Sequence, residues 1–156
     1  MRLKFKPWAR PFILAHQEIA FTKEDFDSPA FLNLFKKEKI MLEVGAGRGD
    51  FIVSMSAKHP ECFFIAVEKN LAAAAIATKK IVESECQNAV MIHADINDFI
   101  HLIPDGCIEK IFLNFSDPWP KARHQKRRLT TEKMIGEYAR LLPLKGEVRM
   151  KTDNIE

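Results

Sequence analysis

Residues 115–128 read FSDPWPKARHQKRR, and they join two kinds of chemistry in one short stretch. Asp117 stands before Pro118, Trp119 and Pro120; behind them come Lys121, Arg123, Lys126, Arg127 and Arg128, with His124 among them and no acid before Glu132. Proline fixes φ, so a carboxylate beside two prolines is carried stiffly and aimed in advance. The basic run suits phosphate oxygens, which give affinity without sequence information. Four further carboxylates stand where apolar runs give out: Glu43 in LEVGAGRG, Glu68 in VEKN, Asp95 in HAD and Asp153 in KTDN. Each alone is an ordinary polar loop residue. Together they describe one crevice lined with acceptors, suited to a ligand that carries positive charge and hydroxyl groups.

For these acids to share a crevice, the elements before them must run side by side. KIMLEV reads as a strand ending at Gly45, and DFIVSMSAKH as the helix after it. CFFIAV is a second strand, followed by an alanine-rich helix from Leu71 to Glu83, alanine being the strongest helix former. AVMIHA is a third strand, a short helix precedes Pro104, and KIFLNF is a fourth strand. In TTEKMIGEYARLL the residues Met134, Ile135, Tyr138, Leu141 and Leu142 recur at helical spacing, with Thr130 or Thr131 as cap, and EVRMKT is a fifth strand. Strands alternating with helices imply an α/β fold, with a mainly parallel sheet, right-handed crossovers and helices on both faces. Ligands of such sheets bind at the carboxyl ends of the strands, where the acids stand. The expected organisation is a single domain over 1–156, with 1–38 as a basic N-terminal extension and 39–156 as the cofactor-binding sheet.

The loop GAGRG, with Gly45 and Gly47, lets backbone pass close to a ligand, because glycine takes positive φ and leaves no side chain in the way. As a lone motif it is equally well a tight strand-to-helix turn. A dinucleotide fingerprint would need a third glycine where Asp50 stands, and an acid there repels a pyrophosphate at the helix N-terminus. S-adenosyl-L-methionine fits better: its ammonium and sulfonium suit Glu43 and Asp117. Glu68, about twenty residues past the glycines, is placed to accept from its ribose hydroxyls, although a helix-capping acid is a compatible second role. Asp95 would face the adenine side.

Composition bounds the class. The 156 residues are 47% hydrophobic, enough for one domain with a real core. Cys62, Cys86 and Cys107 lie too far apart in sequence for a close-spaced metal motif and are odd in number for a disulfide framework; they read as small buried side chains in a reducing cytosol. The histidines His16, His59, His93 and His101 have no clustered partners and read as structural. No apolar run is long enough for a membrane span, and MRLKFKPWAR lacks the apolar core of a signal peptide. Net charge is only +3, but Arg2, Lys4, Lys6 and Arg10 precede the first acid, Glu18. With the 121–128 run this makes two basic blocks, as a polyanionic partner would require or as two solvated faces would show.

LEVGAGRGDF, AVEKN, HAD, LNFSDPWPKARHQKRRL and KTDN, in this order and at these separations, resemble the bacterial tRNA (guanine-N7-)-methyltransferase family, and KPWA its Gram-positive branch. The resemblance spans essentially the whole chain and implies a Rossmann-like S-adenosylmethionine-dependent methyltransferase fold that acts on a variable-loop guanine of tRNA in the cytoplasm, without a metal. It implies that Glu43, Glu68, Asp95 and Asp117 contact the cofactor and that Asp117 is catalytic. Lys121 and Asp153 match substrate contacts, and Arg123, His124, Lys126, Arg127 and Arg128 fall in the RNA-contacting segment. The family pattern continues past KTDN with a helix, antiparallel strands and a Thr-x-x-Glu element. Without them the expectation is cofactor binding with feeble turnover, and a last strand whose Val148 and Met150 lie on an open edge.

Guanine N7 carries an in-plane lone pair and no proton, so its methylation rests on positioning and electrostatics rather than on a general base. Trp119 either stacks on a splayed base or covers the core beside the sheet. Two other functions share these features: an amino-methyltransferase of adenine or cytosine, whose Asp/Asn-Pro-Pro-aromatic loop is akin to SDPW, and a non-catalytic cofactor- or RNA-binding remnant.

Overall fold

The computed structural model describes residues 3–114 and 132–151. Within them the strands are β1 (Ala20–Thr22), β2 (Ile40–Val44), β3 (Phe63–Glu68), β4 (Ala89–His93), β5 (Ile108–Asn114) and β6 (Glu147–Lys151). They pair in parallel throughout, in the order β1-β4-β3-β2-β5-β6. The helices are α1 (Ala9–Ala15), α2 (Pro29–Asn33), α3 (Asp50–Lys58), α4 (Leu71–Glu83) and α5 (Glu132–Leu141).

Both faces of the sheet are covered, which is why β2 is buried at every position and reads in sequence as an apolar run broken only by Glu43. On one face Ala9 and Ile13 of α1, Ile52 of α3 and Ala74, Ala77 and Ile81 of α4 pack on Met41, Ala66, Met91 and Phe112. On the other, Phe31, Leu34 and Phe35 join Phe99, Ile100, Tyr138 and Leu141 over Leu42, Val44, Ile65 and Ile111. The alanines of α4 let it lie close to its neighbours. Gly49, which caps α3 at φ 89°, sits so near α4 that a Cβ there would stand 2.7 Å from the Cβ of Ala77.

The chain order sets a switch point. From β2 the sheet grows in one direction through β3 and β4, with α3 and α4 on one face; the chain then crosses to β5 on the other side of β2 and continues through α5 to β6. The carboxyl ends of β2 and β5 therefore flank the crevice where ligands of open α/β sheets bind.

Three features depart from the sequence expectation or add to it. Residues 20–22, where the sequence pattern suggests no element, form β1: three buried residues along β4, too short to leave a strand pattern. The helix expected before Pro104 is instead two 3-10 turns, Ile96–Asp98 and Ile100–Leu102. Arg140 of α5 donates to the carbonyls of Ile100 and Ile103, both at 2.7 Å, and so satisfies groups that a continuing helix would have paired. The three cysteines are half-buried rather than fully buried, and none is in a disulfide.

β6 lies at the end of the sheet, held to β5 by its ladder and by a Lys110–Glu147 ion pair at 3.2 Å. Val148 and Met150 on it are 43% and 59% exposed, as the alternation of the last strand suggests. No helix among the described residues is long and apolar enough to cross a membrane.

Gly49→Ala combines a positive φ with a collision against α4 and should destabilise the fold by about 2–4 kcal/mol. Denaturant unfolding measures it; a loss below about 1 kcal/mol would mean that α3 and α4 separate easily.

Candidate active site

Glu43 is the next-to-last residue of β2, between Ala66 of β3 and Phe112 of β5 in register. The pleat turns it toward the α3/α4 face, where it is 3% exposed. Its Oε2 accepts a hydrogen bond from Nδ2 of Asn114, the last residue of β5, at 2.9 Å, and Asn114 is equally buried. Its Oε1 is buried and has no hydrogen-bond partner among the described residues. Burial pushes the carboxyl up to about 7; the Asn114 bond opposes that rise and the negative charge of Glu68 adds to it.

The glycine loop follows directly. Gly45, Gly47 and Gly49 all take positive φ, and the amides of Gly45 and Ala46 donate to the carbonyl of Val67 at 2.9 and 3.0 Å, so the loop is tied to the end of β3. Among the described residues a Cβ on Gly47 would meet nothing within 4 Å, so their packing does not demand the glycine there; its φ of 60° does, and among those residues the space beside it is open to a ligand. Asp50 opens α3 and pairs with Lys80 of α4 at 2.7 Å.

Glu68, at the end of β3, fixes the same loop: its Oε1 accepts from the amide of Gly47 at 2.8 Å and its Oε2 from that of Asn70 at 2.9 Å. The cap of α4 is Asn70, whose side chain accepts from the amide of Ala73, so Glu68 is not the helix cap. A carboxylate has about four acceptor sites, so each oxygen keeps room for a hydroxyl donor. Asp95, beyond β4, caps the 96–98 turn through Asn97 and is half-exposed. His93 ends β4 opposite Glu68 in register, and burial pushes its imidazole down, favouring the neutral form.

The structure thus brings Glu43, Gly45, Gly47, Glu68 and Asp95 to the carboxyl ends of adjacent strands. Asp117, Trp119, Lys121, Arg123, His124, Lys126, Arg127, Arg128 and Asp153 lie outside the described residues, as do the helix caps at Thr130 or Thr131. Sequence reading missed Asn114, because an asparagine at the end of an apolar run carries no signal of a partner 71 positions away. It also missed that the Tyr138 hydroxyl is buried without a hydrogen-bond partner among the described residues. No cluster that could hold a metal occurs among the described residues. The orphaned, buried acidic oxygen of Glu43 fits the cationic end of S-adenosylmethionine, and the open glycine cradle with Glu68 beside it fits the nucleoside.

A family model described as "Putative methyltransferase" matches residues 37–156. Among solved structures, the precorrin-6y C5,15-methyltransferase of Geobacter metallireducens superposes with a TM-score of 0.58 at 17% identity, over 86% of this chain and 68% of that one. The YcgJ protein of Bacillus subtilis gives 0.56 at 21%, over 72% and 43%. The fold is that of the Rossmann-like S-adenosylmethionine-dependent methyltransferases. Curated relatives narrow the family. The chain is 43% identical over 155 residues to a tRNA (guanine-N(7)-)-methyltransferase of Pediococcus pentosaceus, covering 99% of this chain and 73% of that protein. Relatives of the same name in Limosilactobacillus reuteri and Geobacillus thermodenitrificans are 42% and 39% identical, with 73% and 72% of their length covered. The chain belongs to the tRNA (guanine-N(7)-)-methyltransferase family.

Glu43 binds its proton more tightly folded than unfolded, so it costs nothing below its ordinary value of 4.5 and destabilises increasingly as pH rises to about 7. Glu43→Gln should therefore match the cofactor-free wild type near pH 4.5 and exceed it at pH 8 by on the order of 3 kcal/mol. Urea melts at the two pH values test this, and an unchanged difference between them would show Glu43 to be ionised without penalty.

Proposed function

We propose that Glu43, Gly45, Gly47, Glu68 and Asp95 hold S-adenosylmethionine while Asp117 and the basic run beyond it present guanine N7 of a tRNA. The observation that carries the site assignment is the buried Glu43 carboxyl, with one oxygen unpartnered among the described residues, at the switch point beside the glycine loop. Family membership carries the reaction. Held by these residues, S-adenosylmethionine would supply an electrophilic methyl group for the N7 lone pair to take, with the carbon–sulfur electron pair left on sulfur. Positive charge passes from sulfur to the purine. A carboxylate near both the sulfonium and the purine stabilises that shift without moving a proton; Asp117 is assigned there, and Glu43 to the ammonium end of the cofactor. Glu68 accepts from the ribose hydroxyls, and Asp95 stands on the adenine side. Lys121 and Asp153 contact the substrate guanosine, and Arg123, His124, Lys126, Arg127 and Arg128 contact the RNA backbone. A tRNA substrate supports a cytoplasmic setting.

Single-turnover transfer of labelled methyl to bulk tRNA, followed by nucleoside mass spectrometry, should give 7-methylguanosine. Methylated adenine or cytosine instead would place the chain among the amino-methyltransferases. Asp117→Ala should lower the rate by about a hundredfold or more, the size expected when an electrostatic stabiliser is removed from beside the reacting atoms.

For the basic run, replacing Arg123, Lys126, Arg127 and Arg128 by alanine should weaken tRNA binding and reduce the log–log salt slope by ~0.7–0.9 for each phosphate no longer neutralised. A wild-type slope in that variant would make these residues a solvated face.

A further inference from the structure

Asn114 is a neutral amide buried where a charge pair would be the obvious solution. Its Nδ2 reaches across from the end of β5 to Oε2 of Glu43 at the end of β2, so the bond spans the two strands that flank the crevice. A lysine or arginine in its place would neutralise Glu43 and compete with any cationic ligand. An apolar residue would leave both carboxylate oxygens without a protein donor and favour the protonated, uncharged form. An asparagine avoids both outcomes: it satisfies one oxygen and leaves the negative charge and the second oxygen to something else. Among the described residues the other charge bearing on Glu43 is Glu68, from the end of β3, whose influence runs against ionisation. Of those residues, the Asn114 amide is thus the group that favours the carboxylate.

We propose that Asn114 is a positioning residue for the cofactor: by donating to Oε2 it holds Glu43 as an oriented carboxylate whose Oε1 receives the ammonium group of S-adenosylmethionine. This rests on the assignment of Glu43 to the cofactor's cationic end. Two consequences distinguish it from a merely structural hydrogen bond. Because burial raises the Glu43 carboxyl to about 7, cofactor binding must release a proton near neutral pH, and the affinity must fall as pH drops below that point. Because Asn114 opposes that rise, its removal must move the transition to higher pH and not merely weaken binding at every pH.

The experiment is titration calorimetry of the full chain with S-adenosylhomocysteine, which keeps the ammonium and lacks the sulfonium, from about pH 5.5 to about pH 8.5 in buffers of different ionisation enthalpy. For the wild type the affinity should be flat above about pH 7 and fall about tenfold per pH unit below it, with one proton released per ligand on that slope. In Asn114→Leu the break should move up by about one pH unit, giving about fivefold weaker binding at about pH 7, about tenfold below about pH 6, and recovery toward the wild type at the alkaline end. Asn114→Ala should move it in the same direction and serves if the leucine variant does not fold. Glu43→Gln should bind weakly and without pH dependence. If Glu43→Gln is weak while both Asn114 variants keep the wild-type break, or are weaker by one constant factor, Asn114 is structural and the inference is overturned alone. If Glu43→Gln binds as tightly as the wild type, the assignment of Glu43 to the cofactor fails, and the inference with it.

Discussion

The hydrogen bond from Asn114 to Glu43 ties together the two strands that the topology sets apart. β2 and β5 are neighbours in the sheet, but the chain leaves them in opposite directions, so no crossover covers the gap between their carboxyl ends. Such a gap is where a parallel sheet exposes backbone and accepts ligands. Here its floor is a buried carboxyl with one oxygen paired and one without a partner among the described residues. The pleat allows this, since Asn114 stands two residues beyond Phe112, the register partner of Glu43, so both point to the face lined by α3 and α4.

Around that floor the walls are fixed by backbone rather than by side-chain packing. Glu68 takes the amide of Gly47 on one oxygen and that of Asn70 on the other, so it locks the glycine loop to the start of α4. The amides of Gly45 and Ala46 reach the carbonyl of Val67, tying the same loop to β3. Three positive φ values within five residues cost conformational entropy on folding, and these bonds offset that cost before any ligand arrives. Gly49 adds a constraint of another kind, since the packing of α3 on α4 leaves no room for a Cβ. The two outer glycines of the loop therefore answer to different masters: Gly45 to the turn out of β2, Gly49 to helix packing.

The strands of the central sheet were legible because burial on both faces gives each of β2 to β5 a run of apolar residues, broken in β5 by Glu109 and Lys110. α4, Leu71–Glu83, was legible from its alanines, which carry strong propensity, but its cap Asn70 was not, Glu68 being the acid that the sequence offers there. β1 was not, since three residues cannot display a period, and its place is settled by pairing with β4. The turns after Asp95 were misread as a helix because their carbonyls are satisfied by Arg140, 40 positions along the chain in one case and 37 in the other. The acids Glu43, Glu68 and Asp95 stood out by their repeated position at strand ends. Asn114 did not, because its role depends on a partner that only the register of β2 and β5 brings near.

Glu43 sets folding and ligand binding against each other at a single atom pair. In the free fold its burial favours the neutral acid; a cationic ligand favours the charged form in the same place. The protein is consequently least comfortable, at neutral and higher pH, in the state without a cofactor, and a bound cation relieves that discomfort as well as filling the site. A charged partner from the protein would remove the conflict and the binding energy together. The neutral amide of Asn114 keeps part of the conflict in place, which is the condition under which an incoming ammonium group has something to gain by binding at the switch point rather than elsewhere on the sheet's polar rim.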